Sequence, residues 1–123
     1  MDNRNKPKFN FFKNWGYAIN GFFIAFKEEL SFKLEVIIFV LIVTAMILLK
    51  FSYIDLLFVI FSMSLVLIIE LLNTAIEYAV DMITDEYNEM AKKSKDLAAC
   101  AVMFGNFLLF GIILFVILKS FLT

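Results

Sequence analysis

Apolar residues run almost unbroken from Val36 to Leu49, from Leu56 to Ile69 and from Leu97 to Leu118. A helix needs about 20 such residues to cross a hydrocarbon layer of about 30 Å. The third run reaches that length alone. The first two reach it only with their polar ends, Glu35 and Lys50 on the first and the acidic stretch after Ile69 on the second. The pattern predicts three transmembrane helices, at about 34–50, 55–81 and 94–119. Ahead of them, Phe9 to Leu30 mixes aromatic and apolar residues with Lys13, Asn14, Asn20, Lys27, Glu28 and Glu29. This predicts an amphipathic helix at about 9–30 lying on the bilayer surface, with Trp15 and Tyr17 suited to the headgroup layer. Phe51 to Asp55 is the expected tight turn between the first two spans, and a short break is expected near Thr84 to Asn88. The fold class expected is an all-α membrane protein, with residues 1–123 forming one domain.

Composition agrees with a chain that lives in lipid. It is 63% hydrophobic with a mean hydropathy of +0.90, more apolar surface than so short a soluble chain can bury. The N-terminal stretch lacks the apolar core and small-residue cleavage site of a signal peptide, so it is expected to be retained. Basic residues at 4, 6, 8, 13, 27 and 33 precede the first span, and others at 92, 93 and 95 lie between the second and third. Only Lys50 and Lys119 stand on the other side. The positive-inside rule then puts the N-terminus and the 82–96 connection in the cytoplasm of a multi-pass protein of the cell membrane. A net charge of −1 supplies no basic field for nucleic acid. With one cysteine, Cys100, and no histidine, neither an intrachain disulfide nor a His/Cys metal site is available.

What alters this picture is the acidic stretch ELLNTAIEYAVD, residues 70–81. At about 100° per residue, Glu70, Glu77 and Asp81 fall within roughly 40° of one another, flanked by Asn73 and Thr74. Carboxylates at such depth face a protein interior or a wet cavity. Their oxygens are hard ligands suited to Mg²⁺, which bridges one or two carboxylates to substrate phosphates. Lys95 and Asp96 start the third span at the level where Glu77 and Asp81 leave the second, and Glu28 and Glu29 are the other acids there. Carboxylates, a metal and a lysine facing lipid suit phosphoryl transfer to a membrane alcohol. Each residue also has a plain reading. Glu70 also reads as a helix–helix hydrogen-bonding group or ion-pair partner, Glu77 and Asp81 as a solvated helix end, Glu28 and Glu29 as surface charge, and Lys92, Lys93 and Lys95 as topology markers. Gly105, Gly111 and the alanines at 98, 99 and 101 permit close helix approach. The four glycines form no nucleotide-binding loop. A small channel or assembly subunit whose stripe lines a polar cavity is the non-enzymatic alternative.

The stretch ELLNTAIEYAVD, then DEYNE and AKKSKDLAACAV, resembles the small prokaryotic integral-membrane diacylglycerol kinase and undecaprenol kinase family. The resemblance covers roughly residues 16–105, including E-x-x-N-x-x-x-E-x-x-x-D and an upstream E-x-x-F at Glu29 to Phe32. It implies a homotrimer of three-span subunits, each with an N-terminal surface helix, that uses ATP and Mg²⁺ to phosphorylate a lipid alcohol at the cytoplasmic face. It makes Glu70 the general base, with Asn73 ordering the cluster, and Glu29 and Glu77 the metal ligands. Tyr17, Glu86, Tyr87, Asn88, Lys95 and Asp96 become nucleotide contacts. The family often carries a basic residue where this chain has Asn10, a place for which Lys8 or Lys13 is the substitute. The ELLNTAIE form, the D-x-I-T-D run and the Phe-rich surface helix look more like the undecaprenol kinase branch, with diacylglycerol as the alternative substrate.

Overall fold

The computed structural model describes Lys8 and residues 10–123. The expected start of the surface helix at Phe9, and the basic residues Arg4 and Lys6, lie outside them. Four helices follow in order: α1 Phe11–Glu28, α2 Leu30–Leu48, α3 Tyr53–Ile83 and α4 Glu89–Leu122. The last three are long and apolar enough to cross a membrane.

Local chemistry sets most of the ends. Asn10 caps α1, its side chain accepting from the backbone N–H groups of Phe12 and Lys13. The Asn10 side chain is therefore occupied as a helix cap. Ser52 caps α3 by accepting from Asp55 N–H at 3.2 Å, and Asn88 caps α4 by accepting from Met90 and Ala91. Asp55, expected in the turn, thus lies in the first helical turn of α3. The α2–α3 turn is closed by Lys50, which has φ of 60°. Its N–H donates to Ile47 O at 3.1 Å, and Phe51 N–H donates to Met46 O at 3.0 Å. These two bonds make a Schellman motif with lysine where glycine is usual.

Between α1 and α2 the chain breaks at one residue. Glu29 is extended, with φ −109° and ψ 106°, and its side chain makes no capping bond. Residues 30–33, ahead of the first span's expected start near 34, are already helix. Aromatic packing holds the corner: Phe22 stands edge-on to Phe32 and stacks on Phe26, and Phe32 and Ala25 are buried.

The core lies where α2, α3 and α4 meet, with Phe39, Met46, Val59, Met63, Val66, Leu109 and Val116 at its centre. The main contact is between α3 and α4. A Cβ built at Gly105 would sit 3.0 Å from Ile69 Cδ1 and 3.9 Å from Val66 Cα, so glycine there lets α4 approach α3. Gly111, expected to serve likewise, has open space around it. At the end opposite the acidic stripe, Lys119 Nζ bonds Asp55 Oδ1 at 2.9 Å and joins the last turn of α4 to the first of α3.

Candidate functional site

The α3 helix carries its polar residues from the core outward. Ser62, Glu70 and Thr74 are buried on the same stripe as Val59, Met63 and Val66. Ser62 needs no outside partner, since its hydroxyl donates to Val59 O at 2.9 Å. Glu70 is different: only 7% of it is exposed, and a carboxylate has no local backbone donor in mid-helix.

Its nearest acidic neighbour across the helix interface is Glu35 of α2, close enough for the two carboxyls to act on each other. Glu35 Oε2 is buried without a partner. Glu29 and Glu77 stand near enough for their charges to act on Glu70 within the one chain. Asn73 Nδ2 donates to Glu77 Oε1 at 3.3 Å, and Asn73 Oδ1 is buried with no partner. The structure therefore gathers Glu29, Glu70, Asn73 and Glu77 at one place and adds Glu35.

Sequence reasoning treated Glu35 only as the polar end of an apolar run. The signal was present: Glu35 stands three residues after Phe32 and four before Phe39, both buried, so helical periodicity puts it on the inner face of α2. Tyr78 was also missed. Its hydroxyl donates to Glu28 Oε2 at 2.5 Å, a contact across fifty residues that no local pattern encodes.

Beyond Glu77 a polar cavity of about 280 Å³ opens at the ends of α3 and α4. Its lining includes Asp81, Glu86, Tyr87, Asn88, Lys95 and Asp96. The connection is ordered by Thr84, whose hydroxyl accepts from Glu86 N–H at 3.2 Å. Lys95 Nζ bonds Asp81 Oδ1 at 2.6 Å, and Lys92 Nζ bonds Asp96 Oδ2 at 2.7 Å. Asn88 spends its side-chain oxygen on the α4 cap and keeps its amide N–H₂ for other partners. Of the six expected nucleotide contacts other than the metal ligands, five line this cavity. Tyr17, exposed on α1, does not.

The donor set suits a hard cation held by oxygen. Among the described residues no three acidic or cysteine groups form a metal cage. Mg²⁺ does not need one, because it is usually held by one or two carboxylates together with substrate phosphates. The unpartnered Asn73 Oδ1 and the neighbouring carboxylates of Glu29 and Glu77 fit that mode of binding.

Comparison with known proteins follows the same lines. Residues 16–118 match the model of a family described as prokaryotic diacylglycerol kinase. The chain is 36% identical over 88 residues to a diacylglycerol kinase of Escherichia coli (strain K12), covering 72% of each chain. It is 34% identical over 101 residues to an undecaprenol kinase of Bacillus subtilis (strain 168), covering 82% of this chain and 81% of the relative. A diacylglycerol kinase of Pseudomonas aeruginosa is 36% identical over 86 residues, 70% of each chain.

Proposed function

Because the chain belongs to the prokaryotic diacylglycerol kinase family and is a lipid kinase using ATP as phosphoryl donor, we propose that its acceptor is undecaprenol. The product is then undecaprenyl phosphate, made at the cytoplasmic membrane face. The ELLNTAIE and D-x-I-T-D sequences support this acceptor, as does the longer match to the undecaprenol kinase. Diacylglycerol is the alternative acceptor.

The observation that carries the chemistry is the burial of Glu70 beside Glu35, on a helix that continues to a polar cavity. Counting from Tyr53 at about 1.5 Å per residue, Glu70 lies about 25 Å along α3 and Glu77 about 36 Å. With a hydrocarbon layer of about 30 Å, Glu70 sits just inside its inner boundary and Glu77 beyond it. A lipid hydroxyl at the boundary meets Glu70, and the polyphosphate in the aqueous layer meets Glu77 and Lys95. Glu70 takes the hydroxyl proton as the alcohol oxygen bonds to the γ-phosphorus and the bond to the β,γ-bridging oxygen breaks. Asn73 orients Glu77 through its amide. Lys95 leaves Asp81 to contact the phosphates, Glu86, Tyr87, Asn88 and Asp96 hold the nucleotide in the cavity they line, and Tyr17, outside it, is the contact that the family resemblance adds. Mg²⁺, held by Glu29 and Glu77, would neutralise phosphate charge as it develops.

The active protein is a homotrimer of single-domain chains, with α1 on the bilayer surface and the N-terminus in the cytoplasm. The cavity suits a trimer: at about 280 Å³ it lies at the low end of small-molecule sites, about 300–1,000 Å³, and a neighbouring chain would add to the cover of the nucleotide. Transfer of label from ATP to undecaprenol and to diacylglycerol, offered separately in mixed micelles, tests the reading. Glu70→Gln should lower kcat by about 10²-fold or more while leaving assembly intact. A nearly normal rate in that variant removes Glu70 as base, and preference for diacylglycerol reverses the acceptor assignment.

A further inference from the structure

Each carboxylate assigned to the metal has a neighbour in the chain that takes part in one hydrogen bond. Glu28 precedes Glu29, Tyr78 follows Glu77, and Tyr78 Oη donates to Glu28 Oε2 at 2.5 Å. That length is typical of a hydroxyl donating to a charged carboxylate, the stronger class of hydrogen bond. Among the described residues it is the one side-chain hydrogen bond between α1 and α3.

Its position decides what it controls. Glu28 is the last residue of α1, and Glu29 is the single extended residue before α2. The Glu29 backbone is held on the α1 side by its N–H to Ala25 O at 2.9 Å, and on the α2 side by its carbonyl, which accepts from Lys33 N–H at 3.0 Å. Its side chain has no capping duty. The direction of the Glu29 carboxylate therefore follows the angle of the corner. The bond from Tyr78 ties that corner to α3 one residue beyond Glu77.

We propose that Tyr78 is a positioning residue which, through Glu28, fixes Glu29 within bridging reach of Glu77. The proposal rests on the reading of these two glutamates as the metal–nucleotide ligands. Tyr78 does not touch substrate, and it also stands near enough to Glu29 to act on that carboxylate. Its side chain and that of Glu28 are exposed, so losing the bond disturbs ligand geometry far more than folding.

The test uses the full-length protein in detergent, with Mn²⁺ binding followed by electron paramagnetic resonance in the presence of a non-hydrolysable ATP analogue. Tyr78→Phe removes only the hydroxyl and should weaken Mn²⁺ binding about five- to tenfold. Glu28→Ala should do the same, and the double variant should lose no more than either single one, because both break one bond. Glu28→Gln keeps an acceptor oxygen and should bind close to wild type. In turnover, KM for Mg-ATP should rise with kcat nearly unchanged, a split that general loosening of the fold does not produce. Wild-type affinity in Tyr78→Phe overturns the proposal and leaves the ligand assignment standing. Equal loss in Glu28→Gln and Glu28→Ala, with Tyr78→Phe unaffected, also overturns it, by making Glu28 itself a ligand. Failure of the underlying reading looks different: Glu29→Ala and Glu77→Ala would then bind Mn²⁺ and the analogue as wild type does.

Discussion

Glu70 is buried, and Glu35 is half-buried with one carboxyl oxygen enclosed, so neither has the free access to water of a surface glutamate. A carboxyl enclosed among apolar helices needs a hydrogen-bonding partner. Replacing Glu35 by glutamine keeps a donor and an acceptor facing Glu70, whereas leucine leaves the Glu70 carboxyl alone. Glu35→Leu should therefore cost about 1–3 kcal/mol, measured as a lower thermal midpoint of the solubilised protein. Glu35→Gln should stay near wild type in the same measurement. An equal loss in both variants would show that packing around Glu35, and not its hydrogen bond, sustains this part of the site. Residue type and helical phase made Glu70, Asn73 and Glu77 legible in the sequence. Glu35 was overlooked because its charge coincides with the end of an apolar run, where a charge needs no special explanation.

At the level of elements, the chain is a set of helices whose ends are fixed by short polar motifs. Asn10, Ser52 and Asn88 are cap residues whose side chains meet the free N–H groups of the first turn. The α2–α3 turn follows the same logic less comfortably. Lys50 holds φ at 60°, a region that costs a residue with a Cβ roughly 1–2 kcal/mol. Glycine would remove that strain but adds freedom to the unfolded chain, worth about 0.5–1 kcal/mol in the other direction. Lys50→Gly is expected to stabilise the protein by up to about 1 kcal/mol, and Lys50→Val to destabilise it, both read from unfolding in mixed micelles. Loss of stability in the glycine variant would mean that the Lys50 charge anchors the turn at the membrane surface. The corner at Glu29 has no comparable motif. Neither proline nor glycine marks it, and it is set by Phe22, Phe26 and Phe32 meeting across α1 and α2.

For the molecule as a whole, one chain leaves much apolar surface bare. Phe58, Phe61, Phe104, Phe107, Phe110 and Phe115 are all more than half exposed along α3 and α4. In a membrane, lipid tails cover such side chains without penalty, so exposure alone does not specify a partner chain. The expectation of association comes from the polar end, where the cavity proposed for the nucleotide opens at the ends of α3 and α4. Light scattering of the detergent complex should give a protein mass of three chains of 14.2 kDa each. A monomer with full kinase activity would mean that lipid headgroups, not a second chain, complete the site.

By itself the sequence determined the number of spans, the acidic stripe, and the chemistry that stripe permits, because each depends on periodicity and residue type within one helix. The family resemblance rested on the same local patterns. Tertiary structure alone decided which residues from separate helices meet. It brought Glu35 of α2 to Glu70 of α3, Glu28 of α1 to Tyr78, Lys95 to Asp81, and α4 against α3 at Gly105 but not at Gly111. These pairings depend on how the helices rotate and cross as the apolar core closes, and that geometry is a property of all the packed side chains together.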